Sequence, residues 1–137
     1  MTALALSLAL LLSGPVAAEP TAAAPWAEGW ASAYAPGVME DVIAVRAAGG
    51  YWHYVPPRGW YEGVDGAIAE IPCTRVGAII ELRAGGQSYR VLVADCAGAD
   101  GHPAWFEERN IVAEFDARLY ARLTADHGRP LRIEVQP

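Results

Sequence analysis

Short apolar runs, broken every few residues by glycine or proline, set the rhythm of this chain. Val76 to Arg83 is β-branched and apolar, which predicts a strand. Ala84-Gly85-Gly86-Gln87 follows, with glycine where positive φ is easiest, so a hairpin turn is expected there. Ser88 to Ala94 alternates and then becomes continuously apolar, as a buried return strand does. Trp30 to Tyr34 and Val42 to Arg46 read as earlier strands, Asn110 to Phe115 as a short extended segment, and Leu131 to Val135 as a final alternating strand. One clear helix is predicted over Ala117 to Ala125, with Leu119, Tyr120 and Leu123 at helical spacing. Asp116 stands where its carboxylate can accept the free amide hydrogens of the first turn, and Gly128-Arg129-Pro130 supplies a stop. Asp95-Cys96-Ala97-Gly98 ends the central strand, and a polar loop runs on to Arg109. Many short strands, frequent turns and little helix predict a mainly β fold, a small barrel.

The N-terminal pattern differs from the rest. Ala3 to Leu12 is apolar apart from Ser7, the run breaks at Ser13-Gly14-Pro15, and Val16-Ala17-Ala18 has the small residues of a cleavage site. This predicts a secretory signal over residues 1–18, too short for the roughly 20 apolar residues of a spanning helix. An uncleaved anchor is the alternative; no stable membrane insertion is expected once the signal is removed. Residues 19–25 are Ala/Pro-rich and read as a linker, leaving residues 26–137 as one domain. A secreted, periplasmic or cell-envelope location follows from this reading.

Composition narrows the function classes. Ten basic residues, all arginine, face sixteen acidic ones, for a net charge of −6 over 137 residues. That balance argues against nucleic acid, which needs a basic footprint. An apolar content of 53% excludes a chain disordered by composition. Cys73 and Cys96 are the only cysteines, and in an oxidising space a disulfide between them is the expectation. A cysteine nucleophile with His102 or His127 as base is the alternative, although no cysteine-protease signature surrounds either cysteine. His53, His102 and His127 lack ligand spacing, so no metal site is expected.

The collinear series then carries a resemblance. Ala31-Ser-Ala-Tyr34, Ile71-Pro-Cys73-Thr74, a Gly-Gly hairpin, Val91-Leu-Val-Ala-Asp95-Cys-Ala-Gly98, Ile111-Val-Ala-Glu-Phe-Asp116 before a helix, then Gly128 and a last strand resemble the RlpA-like double-psi β-barrel family. That family is similar to expansins, barwin-type proteins and the barrels of some lytic transglycosylases. The match lies mainly in Ala67 to Val135. It implies a six-stranded double-psi β-barrel with one or two short helices, acting on or binding polysaccharide, most often peptidoglycan glycan. No metal or organic cofactor is implied, and a monomer is expected. The family's aspartate after the central strand matches Asp95, although Cys96-Ala97-Gly98 replaces its Arg-Gly-Pro. Glu114 stands where the family has its catalytic-type aspartate, and Asp116 replaces a serine cap. Ile68 stands where the family has a histidine, and Pro72-Cys73-Thr74 lacks a turn glycine.

These correspondences imply Asp95 and Glu114 as acid–base carboxylates, because a glycosidic alkoxide leaves readily only when an acid protonates it. The structural alternatives are a strand-end carboxylate for Asp95 and a solvated strand residue for Glu114. Aromatic faces suit the C–H faces of sugar rings, so Tyr34, Tyr51, Trp52, Trp60 and Trp105 are the expected substrate contacts, with core packing as the competing role. Two function classes follow: a glycan-cleaving lytic transglycosylase, or a non-catalytic, expansin-like carbohydrate-binding module. An exported inhibitor or toxin-like barrel is a third.

Overall fold

The computed structural model describes residues 23–49, 63–71, 74–97 and 103–137. The expected signal, most of the linker, Tyr51, Trp52, His53, Trp60, Cys73 and His102 lie outside these residues. In chain order the elements are β1 (Ala27–Ala33), α1 (Val38–Ala48), β2 (Gly66–Glu70), β3 (Ile79–Ala84), β4 (Gln87–Cys96), α2 (Pro103–Glu108), β5 (Ile111–Phe115), α3 (Ala117–His127) and β6 (Arg132–Val135).

The six strands close into a barrel in the order β1-β5-β2-β4-β3-β6. Two neighbouring pairs, β1 with β5 and β2 with β4, run parallel; the other pairs are antiparallel. The fold is therefore the mainly β, six-stranded barrel that the sequence predicts. Closure gives each of the six described strands a partner on both sides.

Alternation along the strands sorts side chains into two cores. The first takes residues from every strand, among them Ala31, Ile68, Leu82, Val93, Phe115 and Ile133, and so fills the barrel interior. Leu119 and Leu123 of α3 join it. The second lies on the outer face of β2 and β4, where Ala67, Ala69, Leu92 and Ala94 pack under Met39 and Ile43 of α1 and Phe106 of α2. At the β3–β4 hairpin Gly85 and Gly86 have φ of 55° and 77°, the two positive angles a tight two-residue turn requires.

Several expectations are corrected. Val42–Arg46 is not a strand but the middle of α1. The burial pattern explains why: Met39, Ile43 and Ala47, four apart, face the core, whereas a strand would bury every second residue. Glu40 and Asp41 in the first turn and Arg46 in the last complement the helix dipole. The polar loop before Arg109 contains α2, opened by Pro103 and anchored by buried Phe106. Among the described residues three helices stand where one or two were expected. The strand expected from Val76 starts at Ile79, because Gly77 takes a φ of 95°. β2 was not anticipated as a strand. It reads Gly-Ala-Ile-Ala-Glu and is buried at all five positions, so it offers no alternation to detect.

Asp116 caps α3 as predicted. Its side chain accepts a hydrogen bond from Leu119 N at 2.8 Å and another from Ala67 N at 2.7 Å. One fully buried carboxylate therefore ties the helix to β2. Gly66 makes this contact possible: a Cβ there would lie 2.5 Å from Asp116 Oδ2 and 2.8 Å from Leu119 Cβ.

Candidate functional site

The two strands that flank β2 bring the two predicted carboxylates to the same row of the sheet. Ala69 of β2 pairs with Glu114 of β5 on one side and with Asp95 of β4 on the other. The second pairing depends on a bulge. Ile68 faces Val93, but Ala69 faces Asp95, so Ala94 is an extra residue in β4. A bulge of this kind re-aims the side chains beyond it. Residues two strand spacings apart have Cα atoms about 10 Å apart, and alanine is the small residue between them.

Each carboxylate has its own setting. Ser32 of β1 pairs with Glu114 across the parallel β1–β5 ladder, and its hydroxyl donates to Glu114 Oε1 at 3.2 Å. Glu114 is half-buried, and this loss of solvent pushes its carboxyl above the ordinary glutamate value. The Ser32 hydrogen bond opposes that shift, while the negative charge of Asp95 adds to it. Asp95 is held by Arg46 of α1, whose Nε lies 3.1 Å from Oδ1 and whose Nη2 bonds the same oxygen. Tyr34 donates from its hydroxyl to Oδ2 at 3.3 Å.

Tyr34 spans the site. Its backbone N–H donates to Phe115 O at 2.9 Å, fixing it beside β5, while its hydroxyl reaches Asp95 on β4. Its ring packs on the outer core that includes Ala69. Tyr34, named from the sequence as a substrate contact, thus sits against Asp95 in this site. Beside Asp95, a cleft of about 470 Å³ is lined by Val38, Asp41, Val42, Val45, Arg46 and Asp95. Val45 is 72% exposed on its rim. A cleft that joins the apolar Val38, Val42 and Val45 to the charged Asp41, Arg46 and Asp95 has the make-up of a small-ligand site.

Of the other predicted contacts, Trp105 is 42% exposed on α2. It stacks edge-on to Phe106 with centroids 4.9 Å apart and lies under the Arg109 guanidinium at 4.6 Å. Tyr51, Trp52 and Trp60 lie outside the described residues. Cys96, at the end of β4, is disulfide-bonded. Among the described residues no group of three or more His, Cys, Asp or Glu could hold a metal ion, and no helix is long and apolar enough to cross a membrane.

The sequence reasoning missed Ser32 and Arg46. Ser32 was visible only as part of a motif. The local pattern at Arg46 predicts a strand, and its approach to Asp95 follows from the helix that stands there. A further pair also escaped it: Glu70, 4% exposed at the end of β2, receives the Arg75 Nε at 3.0 and 3.1 Å from its two oxygens. Arg75 also bonds Gln136 O, tying the C-terminal segment to this loop. Compared with family models, curated proteins and solved structures, the chain matches none.

Proposed function

We propose that the protein is an exported, polysaccharide-active barrel that cleaves peptidoglycan glycan strands in the manner of a lytic transglycosylase. The reading joins the RlpA-like resemblance of the sequence to one geometric observation, the flanking of Ala69 by Glu114 and Asp95. The two carboxylates differ in setting: burial favours the protonated form of Glu114, whereas Asp95 is salt-bridged to Arg46. Carboxylates with different environments divide acid and charge-stabilising roles between them.

In this mechanism Glu114 gives its proton to the glycosidic oxygen as the C–O bond breaks. Asp95 stabilises positive charge developing at the anomeric carbon. The muramoyl 6-hydroxyl attacks that carbon and passes its proton to the Glu114 carboxylate, which closes an anhydro ring and restores the acid. Glycan is the partner class, the cell envelope or exterior is the place of action, and the protein works as a monomer.

A second reading is favoured by the hold on Asp95. Both its oxygens are engaged, by Arg46 and Tyr34, as suits a structural carboxylate in a non-catalytic, expansin-like carbohydrate-binding module. Incubation with purified glycan strands separates the two. Anhydromuramoyl products that disappear in Glu114→Gln and Asp95→Asn support cleavage. Retention on glycan with no product from the native chain supports the binding module.

A further inference from the structure

We propose that Arg46 is a positioning residue for the carboxylate pair: from α1 it holds Asp95 in place and offsets the charge that Asp95 presents to Glu114 across Ala69. The inference deepens the cleavage reading and rests on it for its functional meaning.

The geometry is specific. Arg46 meets one oxygen of Asp95 through Nε and Nη2, and Tyr34 meets the other, so the carboxylate is gripped from α1 and from the segment after β1. The side chains of Arg46 and Asp95 are only 24% and 16% exposed, so water screens the contact less than at an open surface pair. Arg46 also lines the 470 Å³ cleft that opens beside Asp95, and α1 packs directly on β4.

Glu114 is the group that would feel a change. Among the described residues, the elements packed most on β5 are β1, β2 and α2. β1 brings the Ser32 hydroxyl, and the chain just after it the Tyr34 phenol. β2 brings Glu70, which is paired with Arg75. α2 brings Glu107 and Glu108, both exposed. Asp95, one strand farther, is the charge that acts on Glu114. A partner that partly neutralises Asp95 therefore limits how strongly Glu114 holds its proton. In catalytic terms, Arg46 sets how far towards neutral pH the acid stays protonated.

The test is carbon-detected NMR titration of the Glu114 side-chain carboxyl in the purified full chain, assigned by its loss in Glu114→Gln. Arg46→Met keeps the aliphatic stem and removes the charge. It should raise the Glu114 midpoint by about half to one pH unit. Asp95→Asn should lower the midpoint. Adding Arg46→Met to Asp95→Asn should produce a smaller rise than in the single variant, because only the guanidinium's own weaker field at Glu114 is then lost and no Asp95 charge is unmasked. If Arg46→Met does not fold, Arg46→Gln carries the same prediction. An unchanged midpoint in the single variant, or an equal rise without Asp95, overturns the proposal. The readout needs no activity, so failure to cleave glycan would defeat the proposed function and leave this electrostatic coupling to be judged by itself. If cleavage is present, the alkaline limb of its pH profile should move upward with the Glu114 midpoint in Arg46→Met.

Discussion

Replacing Asp116 with alanine should destabilise the protein by about 2–4 kcal/mol, summing two separate losses. Asp116 is fully buried, and its two oxygens each accept a backbone hydrogen. The bond from Leu119 N at 2.8 Å is the N-cap of α3, and loss of such a cap typically costs about 1 kcal/mol. The bond from Ala67 N at 2.7 Å holds β2. Without it a buried amide loses its carboxylate acceptor, a cost of about 1–3 kcal/mol. Asp116→Asn should fall between the native chain and alanine, because one oxygen remains and the amide nitrogen cannot accept. Urea unfolding followed by circular dichroism measures this directly. With a slope of roughly 1.5 kcal/mol/M, within the range for small proteins, the alanine midpoint should fall by about 1.3–2.7 M while the slope stays constant. A loss below about 1 kcal/mol, or an asparagine variant as stable as the native chain, would refute the view that this carboxylate joins helix to barrel.

Three further predictions concern the site and its supports. Because burial raises the Glu114 carboxyl, the native state binds more protons than the unfolded chain between the unfolded and folded values. Stability should therefore fall as pH rises through that window. Glu114→Gln should remove this fall, making the variant the more stable one above the window and equal to the native chain below it; urea midpoints at a series of pH values check this, and parallel profiles would contradict it. Gly66→Ala should destabilise by about 2 kcal/mol or more, since the new methyl meets buried Asp116 and Leu119; a thermal melt unchanged from the native chain would oppose that. Mass spectrometry without reductant should find Cys96 linked to Cys73, and Cys96→Ser should cost about 3 kcal/mol for a loop of this length; two free thiols would refute the pairing.

The parts of the fold with strong local signals were readable in advance. Gly85-Gly86 demanded a tight turn, and Asp116 before an amphipathic run demanded a helix start; both are in place. β2 was not readable, because Gly66-Ala-Ile-Ala-Glu70 is buried throughout and its small residues are chosen by close packing, which no local pattern reports. The local pattern at α1 points to a strand because Val42 to Val45 is apolar over four residues, three of them β-branched. The deciding contacts, Met39 and Ile43 on the outer core, are tertiary. Asp95 and Glu114 could be named from a motif, but their alignment on Ala69 needs both a parallel β2–β4 ladder and the bulge at Ala94. Arg46 follows only once the helix is known.

The central claim is that Glu114 gives a proton to a glycosidic oxygen in a glycan strand held at this face of the barrel. Its most direct measurement puts the native chain and Glu114→Gln on the same purified peptidoglycan glycan strands and scores bound protein and anhydromuramoyl ends in each sample. The account predicts product from the native chain, and from Glu114→Gln comparable binding with product reduced at least about 100-fold, the usual scale of general acid catalysis. Equal product from both chains, or none from the native chain while it binds, would contradict it.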